Sequence, residues 1–342
     1  MENVLLYLNP FLVAFGASVI FLFLIVNFFW KNDDKRKDER HIHAKNISRW
    51  GGAAIFIAFF VAIFWDKNLV ITRDIWGILI GAIFIFLIGF WDDFRELKWK
   101  TQLFFQIAAV ALIFIFGIKI ETLSNPFGEI ISLNGIIGWV LGFLIAVGWI
   151  LVLINAMNWL DGIDGLSGGI FSISFLAMFF LALKPEVNQP PVGILAIILL
   201  GASLGFLIFN FPPGRIMLGS SGVFFLGFLL AGLSIFAGTK IATTLLVLFV
   251  PMIDFFWVII RRLKTGKKIT EPDNEHLHHK LLAIGWPQKK IDLFFYFVTL
   301  LVLLVALNVK GMEKVLVIFI LFLAMMVFYS LIEMKLVKIK NG

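Results

Sequence analysis

The sequence predicts an all-α, polytopic integral membrane protein, a single transmembrane domain over residues 1–342. Three observations point there. Hydrophobic residues fill 61% of the chain and charged residues 15%, where a soluble domain has roughly 45–50% and about 25%. The apolar residues are gathered into stretches near the roughly 20 residues that a helix needs to cross a hydrocarbon core. Those stretches are too long for barrel strands, and backbone groups in lipid must be satisfied internally, which leaves helices. Forty Phe against three Tyr fit the same medium, because lipid accepts Phe without a partner for a hydroxyl. The composition excludes an ordinary soluble globule and a disordered chain.

The elements follow in order. The first stretch, 5–29, is preceded by Met1-Glu2-Asn3-Val4, which lacks a positive charge, and followed by a strongly basic run. A cleavable signal peptide has the reverse polarity, so this stretch is expected to be a span. Ten more follow, at 51–65, 75–91, 101–120, 135–157, 168–183, 192–210, 221–237, 241–260, 291–309 and 314–336. Eleven helices of about 20 residues take up most of the chain, leaving loops near 31–50, 92–100, 158–167, 211–220 and 261–290. With the N-terminus outside, those loops and the C-terminal tail carry 22 of the 29 Lys and Arg. The positive-inside rule then puts the loops and the C-terminus in the cytoplasm, with the protein in the cytoplasmic membrane. The net charge of +7 is thus assigned to topology and membrane lipids, not to nucleic acid. With no Cys there is no disulfide framework, thiolate zinc site or cysteine nucleophile.

The chemistry-bearing residues crowd into the inner loops. The doublet Asp92-Asp93 ends an apolar helix, followed by Glu96, Lys100 and Gln106. Adjacent carboxylates repel unless a cation sits beside them, and hard oxygen ligands suit Mg²⁺. Lys100 would share their face if the helix continues two turns. Asn155, Asn158, Asp161 and Asp164 recur every three residues, a polar stripe closing an apolar span. Gly162 and Gly165 let the backbone approach a ligand. A capped helix end followed by a turn needs one such residue, not four. In the longest inner loop, Glu271-Pro272-Asp273-Asn274-Glu275 precedes His276, His278 and His279. Zinc is conceivable there, but no Cys and no HExxH spacing supports it, whereas His and Arg also serve phosphate. Two glycine-bearing segments complete the set: Arg40 to Gly52, with His41, His43, Lys45 and Arg49, and Asn210 to Gly222, with Pro213, Arg215 and Gly219. A glycine turn into a helix start can offer free N–H groups to an anion.

Taken in this order, the five segments resemble the polyprenyl-phosphate N-acetylhexosamine-1-phosphate transferase family. The likeness runs from about residue 36 to 286 and is most specific in DDFRELKWK (92–100), NAMNWLDGIDGLSGG (155–169) and EHLHHKLL (275–282). It implies that a lipid phosphate attacks the β-phosphorus of a UDP-linked sugar, giving a lipid diphosphate sugar and UMP. Asp92 would take or orient the lipid-phosphate proton and Asp93 would support it or a metal. Asn158, Asp161 and Asp164 would line the nucleotide pocket. Lys100, Arg49, His278 and His279 would hold phosphates or sugar, with Asn155, Asn210 and His276 as further substrate contacts. The implied cofactor is Mg²⁺, with Mn²⁺ as an alternative, on Asp92, Asp93 and Asp164. The partners are a UDP-N-acetylhexosamine, polyprenyl (undecaprenyl) phosphate and membrane lipids, and a homodimer is left open. The segment from Arg40 to Gly52 leans toward the N-acetylglucosamine branch, and the product toward cell-envelope polysaccharide. One departure stands out: the family has Asp as a metal ligand where this chain has Ser220, and no acidic residue lies between Glu186 and Asp254.

Two other readings follow from the same residues. A catalytically impaired relative that binds lipid phosphate or nucleotide is suggested by Ser220. A secondary transporter would carry ionisable groups near the bilayer midplane, against the one-sided distribution here.

Overall fold

The computed structural model describes residues 2–29, 47–123, 125, 131–238, 241–268 and 275–341. Arg40, His41, His43, Lys45 and Glu271 to Asn274 fall outside these residues. Helix α1 (Glu2–Leu24) ends in a π-helical turn, Ile25–Phe29, and is followed by α2 (Gly51–Trp65), α3 (Arg73–Phe94) and α4 (Trp99–Phe116). A two-stranded antiparallel hairpin, β1 (Thr122–Leu123) and β2 (Ile131–Ser132), pairs Thr122 with Ser132. It was not expected from the sequence. Then come α5 (Gly135–Leu160), α6 (Leu166–Ala182), α7 (Pro190–Asn210), α8 (Gly219–Phe236), α9 (Ile241–Val247), α10 (Phe249–Lys264), α11 (Leu277–Ala283), α12 (Gln288–Asn308) and α13 (Met312–Asn341).

Among the described residues, eight helices are long and apolar enough to cross a membrane: α1, α3, α4, α5, α7, α8, α12 and α13. Helices α2 and α6 are apolar but shorter. The stretch 241–260, expected as one span, is instead α9 and α10 meeting at 83°. Pro251 supplies the physical reason. It has no N–H for the carbonyl four residues back, at Val247, and its ring crowds that carbonyl; α9 ends at that residue. The protein is thus an all-α polytopic membrane protein.

Burial follows apolarity all round the helix. Helices α7 and α8 lie at the centre, with α8 packed by α3 and α5 and α7 by α1 and α6. Helices α1 and α13 present many large apolar side chains outward. With little hydrophobic drive between helices in lipid, close packing rests on small residues. A methyl on Gly52 would meet the backbone N of Gly222 at 2.2 Å, which locks α2 against α8. One on Gly89 would meet Ser220 O at 2.6 Å, which does the same for α3 and α8. Polar groups in the interior are paired across helices: Ser18 Oγ donates to Ala202 O (2.8 Å) and Trp149 Nε1 to Ser234 Oγ (2.9 Å).

Connections alternate between two ends of the bundle. One end carries the C-termini of α3, α5, α7 and α10 and the N-termini of α2, α6, α8 and α12. The described parts of the segments singled out in the sequence lie there, on helix ends and short turns. Asp92 and Asp93 lie within the last turn of α3, and α11 sits inside the segment read as a loop over 261–290.

Candidate active site at one end of the bundle

The aspartate doublet divides at the end of α3. Asp92 is buried, and its Oδ1 accepts from Leu97 N–H (2.7 Å) and Gln102 Nε2 (2.9 Å). Asp93 turns to α8: Oδ1 accepts from Ser220 N–H (2.7 Å) and Oδ2 from Ser221 N–H (3.0 Å). A carboxylate across the first free N–H groups of a helix satisfies orphan donors and meets the positive end of the dipole. Gly219 makes the turn into α8 with φ +74°, a region closed to most side chains. The same turn holds Arg49. Met217 N–H donates to Ser48 O (2.8 Å), Gly51 N–H to Met217 O (3.0 Å) and Gly52 N–H to Leu218 O (2.9 Å).

The polar stripe is broken by geometry. Asn155 Nδ2 donates to Gln106 Oε1 (3.0 Å) and to Leu151 O (2.7 Å), tying α5 to α4. Asn158 is half-buried near the helix end. Helix α5 stops at Leu160, so Asp161 and Asp164 sit on the tight turn to α6. Asp161 accepts from the Ser167 hydroxyl. Burial pushes its carboxyl up from 3.8 to about 7; Asp93 and Asp164 act the same way, while Ser167 and Arg49 oppose them. Asp164 is buried and Oδ2 accepts from Gly214 N–H (2.8 Å). Asn210 joins the two turns, accepting from Gly165 N–H (2.9 Å) and donating to Ile216 O (2.8 Å). The amide groups of Asn155 and Asn210 therefore both hold protein partners, a positioning arrangement.

The histidine segment docks from the other side. His276 Nδ1 pairs with Asp254 Oδ2 at 2.8 Å, and Asp254 Oδ1 accepts from Leu277 N–H (2.8 Å) and from the Tyr329 hydroxyl. His276 packs edge-on to Trp159 (5.3 Å), whose ring also carries the Arg262 guanidinium (4.7 Å). Trp159 lies inside the polar stripe, so this stack couples the stripe to the histidines. His278 is fully buried and stacks on His276 (5.7 Å) and His279 (4.2 Å). A methyl on Gly162 would lie 2.6 Å from His278 Nε2 and 3.3 Å from His279 Nε2, so a glycine is needed for the approach. Burial, then the neighbouring His279 and His276, holds the His278 imidazole well below its usual range, against Asp254. Arg261 bridges Glu275 (2.5 Å) and Glu333 (2.9 Å), and Lys280 reaches Glu333 (2.7 Å), clamping the segment to α13.

The turns thus bring Arg49, Asp93 and Asp164 within electrostatic range of Asp161, with His278 and His279 against Gly162. Lys100 does not follow the doublet on a continuing helix. Residues 95–98 break the chain between α3 and α4, and exposed Lys100 stands over the Trp99 ring at 5.6 Å. Among the described residues no three His, Asp or Glu side chains converge as a metal-holding group. The sequence reading missed Asp254, Asp292, Tyr296 and Tyr329. Asp254 and Asp292 carried a usable signal, since a carboxylate inside an apolar span is a functional candidate by default. The tyrosines carried none.

Comparison with known proteins agrees with this architecture. The description "Glycosyl transferase family 4" matches residues 75–238. The chain is 30% identical over 290 residues to the probable undecaprenyl-phosphate N-acetylglucosaminyl 1-phosphate transferase of Bacillus subtilis, covering 83% of this chain and 79% of that one. It is 30% identical over 288 residues to the decaprenyl-phosphate N-acetylglucosaminephosphotransferase of Mycobacterium tuberculosis (75% and 71%). It is 29% identical over 332 residues to the phospho-N-acetylmuramoyl-pentapeptide-transferase of Limosilactobacillus reuteri (90% and 97%). With its helices, its single polar end and this shared length, the chain belongs to glycosyl transferase family 4.

Proposed function

We propose that this protein transfers a sugar 1-phosphate from a UDP-linked N-acetylhexosamine to a polyprenyl phosphate, releasing UMP, in cell-envelope polysaccharide synthesis. The observation that carries the reading is the gathering of Arg49, Asp93 and Asp164 around Asp161 at one end of a membrane bundle, in a chain similar to polyprenyl-phosphate transferases. The two N-acetylglucosamine-type relatives favour UDP-N-acetylglucosamine as the donor. The distribution of Lys and Arg supports a cytoplasmic position for this end.

An oxygen of the lipid phosphate attacks the β-phosphorus, the bond to the bridging oxygen breaks, and UMP leaves with that oxygen. Such a transfer is catalysed mainly by positioning and electrostatics. Asp92 gives Oδ1 to Leu97 and Gln102, which fixes the carboxylate and leaves Oδ2 to orient the acceptor. Asp93 holds the start of α8 in place. Asp161, with a carboxyl that titrates near neutrality, is suited to bind a proton-bearing group of the donor. Neutral His278 beside Gly162, together with His279 and Arg49, lies where sugar and phosphate oxygens would be held. Of the three carboxylates read as metal ligands, Asp93 gives both oxygens to the N–H groups of Ser220 and Ser221, so Asp92 and Asp164 would be the ones to hold Mg²⁺ or Mn²⁺. When bound, that ion supplies positive charge to offset the pyrophosphate.

Purified protein given UDP-N-acetylglucosamine, undecaprenyl phosphate and Mg²⁺ is expected to release UMP and form the lipid diphosphate sugar, and Asp92→Asn to lose this while staying folded. Full turnover by that variant would remove its role. Nucleotide binding without UMP release by the unaltered chain would overturn the transferase reading.

A further inference from the structure

Asp292 lies one turn into α12, which packs on α6. It is 0% exposed, and neither carboxylate oxygen has a hydrogen-bond partner among the described residues. The donor one turn further on, the Tyr296 hydroxyl, is bonded to Gly165 O (2.5 Å) instead. The nearby lysines of α12 point elsewhere: Lys289 is exposed, and Lys290 stands over the Trp286 ring at 4.2 Å. A bare buried carboxylate costs several kcal/mol by loss of hydration alone.

What faces Asp292 makes the cost larger. Its Oδ2 lies 2.9 Å from where a methyl on Gly165 would stand, and it feels the negative charge of Asp164, the preceding residue. Asp164 Oδ1 lies 2.6 Å from where a methyl on Gly214 would stand. Asp292 therefore stands against Gly165, the residue after Asp164, and Asp164 against Gly214, with Asn210 bracing both turns. Asp164 accepts from Gly214 N–H; what the Asp292 carboxylate lacks is a positive charge, and Mg²⁺ is usually held by one or two carboxylates plus water and substrate phosphate.

We infer that Asp164 and Asp292 form a divalent-cation site, of the Mg²⁺ and Mn²⁺ class, that anchors the ion from α12. The inference rests on the transferase reading for its purpose, though not for its geometry. It gives this chain a second anchoring carboxylate although residue 220 is a serine. Asp292 would act through the ion, and the backbone at Gly165 would be held by Tyr296.

The test is Mn²⁺ binding by electron paramagnetic resonance on the full chain in detergent, with no substrate present. The unaltered chain is expected to bind Mn²⁺ displaceable by Mg²⁺, and Asp292→Asn to weaken binding by about tenfold or more, while Glu186→Gln, at an exposed position away from the site, leaves it within about threefold. Binding by Asp292→Asn equal to the unaltered chain would overturn the site. Should that variant not fold, Fe²⁺ with ascorbate and peroxide on the unaltered chain decides. Backbone cleavage near 164–165 and 292 supports the site, and cleavage confined to 92–93 and 220 overturns it. A chain that binds Mn²⁺ through Asp292 yet releases no UMP would defeat the transferase reading and leave the cation site standing.

Discussion

Asp93→Asn is the most informative perturbation, because it changes one atom in a carboxylate that bonds the first N–H groups of α8. The native side chain accepts from Ser220 N–H at 2.7 Å and from Ser221 N–H at 3.0 Å. An asparagine accepts only one of them and turns an NH₂ toward the other. Losing a hydrogen bond to a charged group costs about 1.5–3 kcal/mol, and losing the charge at a helix N-terminus costs about 0.3–1 kcal/mol more. The expected destabilisation is therefore roughly 2–4 kcal/mol. At about 2–4 °C per kcal/mol for shorter chains, the melting temperature should fall by roughly 3–6 °C in this longer one. The assay is intrinsic-fluorescence melting in detergent, for which the 11 Trp suffice; thiol-reactive dyes are excluded by the absence of Cys. Ser220→Ala is the control, since it keeps the backbone N–H and should melt with the unaltered protein. An Asp93→Asn protein melting within about 1 °C of the unaltered chain, or a Ser220→Ala drop of equal size, would refute the capping argument.

Four further outcomes are expected. Asp161 has its folded-state pKa raised to about 7 from 3.8, so the folded chain holds more protons between those values and stability falls as pH rises through that window. Burial is the main cause of that shift, with Asp93 and Asp164 adding to it and Ser167 and Arg49 opposing it. Buried His278 contributes with the opposite slope below its usual 6.5, so the comparison is with Asp161→Asn, whose melting temperature should drop less between pH 5 and 8. Gly162→Ala forces a methyl to 2.6 Å from His278 Nε2, and should abolish transfer, measured as UMP release, while far-ultraviolet circular dichroism stays unchanged. Asp254→Ala strands His276 and Leu277 N–H and should cost about 3–5 kcal/mol, read as a lower melting temperature and faster hydrogen exchange over 275–283. Ser220→Asp is expected to raise turnover at limiting Mg²⁺, and unchanged or lower turnover would mean that other ligands hold the ion.

Much was legible in the chain because the bilayer is a simple solvent. Runs of about 20 apolar residues admit one backbone solution, so the helical class and most helix positions followed from composition. The polar clusters were legible for the same reason: Asp92, Asp93, Asp161, Asp164 and the histidines are costly in such a sequence and need a cause. The break in 241–260 was within reach too, since Pro251 removes a bond that a continuous helix requires.

Direction and partnership were not legible. Adjacent Asp92 and Asp93 look equivalent on paper, yet one turns to Leu97 and Gln102 and the other to α8, because successive side chains on a helix diverge by about 100°. Asn155 and Asn210 read as ligands, but their partners, Gln106 and the backbone of Gly165 and Ile216, lie 49, 45 and 6 residues away. Asp292 stood out as a carboxylate inside an apolar span, but its nearness to Asp164 appeared only once α12 packed beside that turn. By itself the sequence determined the solvent in which the chain lives, its helices, and which groups could not be idle; the tertiary structure decided which of those groups meet, because hydrogen bonds and charge pairing act over a few ångströms in space and are blind to distance along the chain.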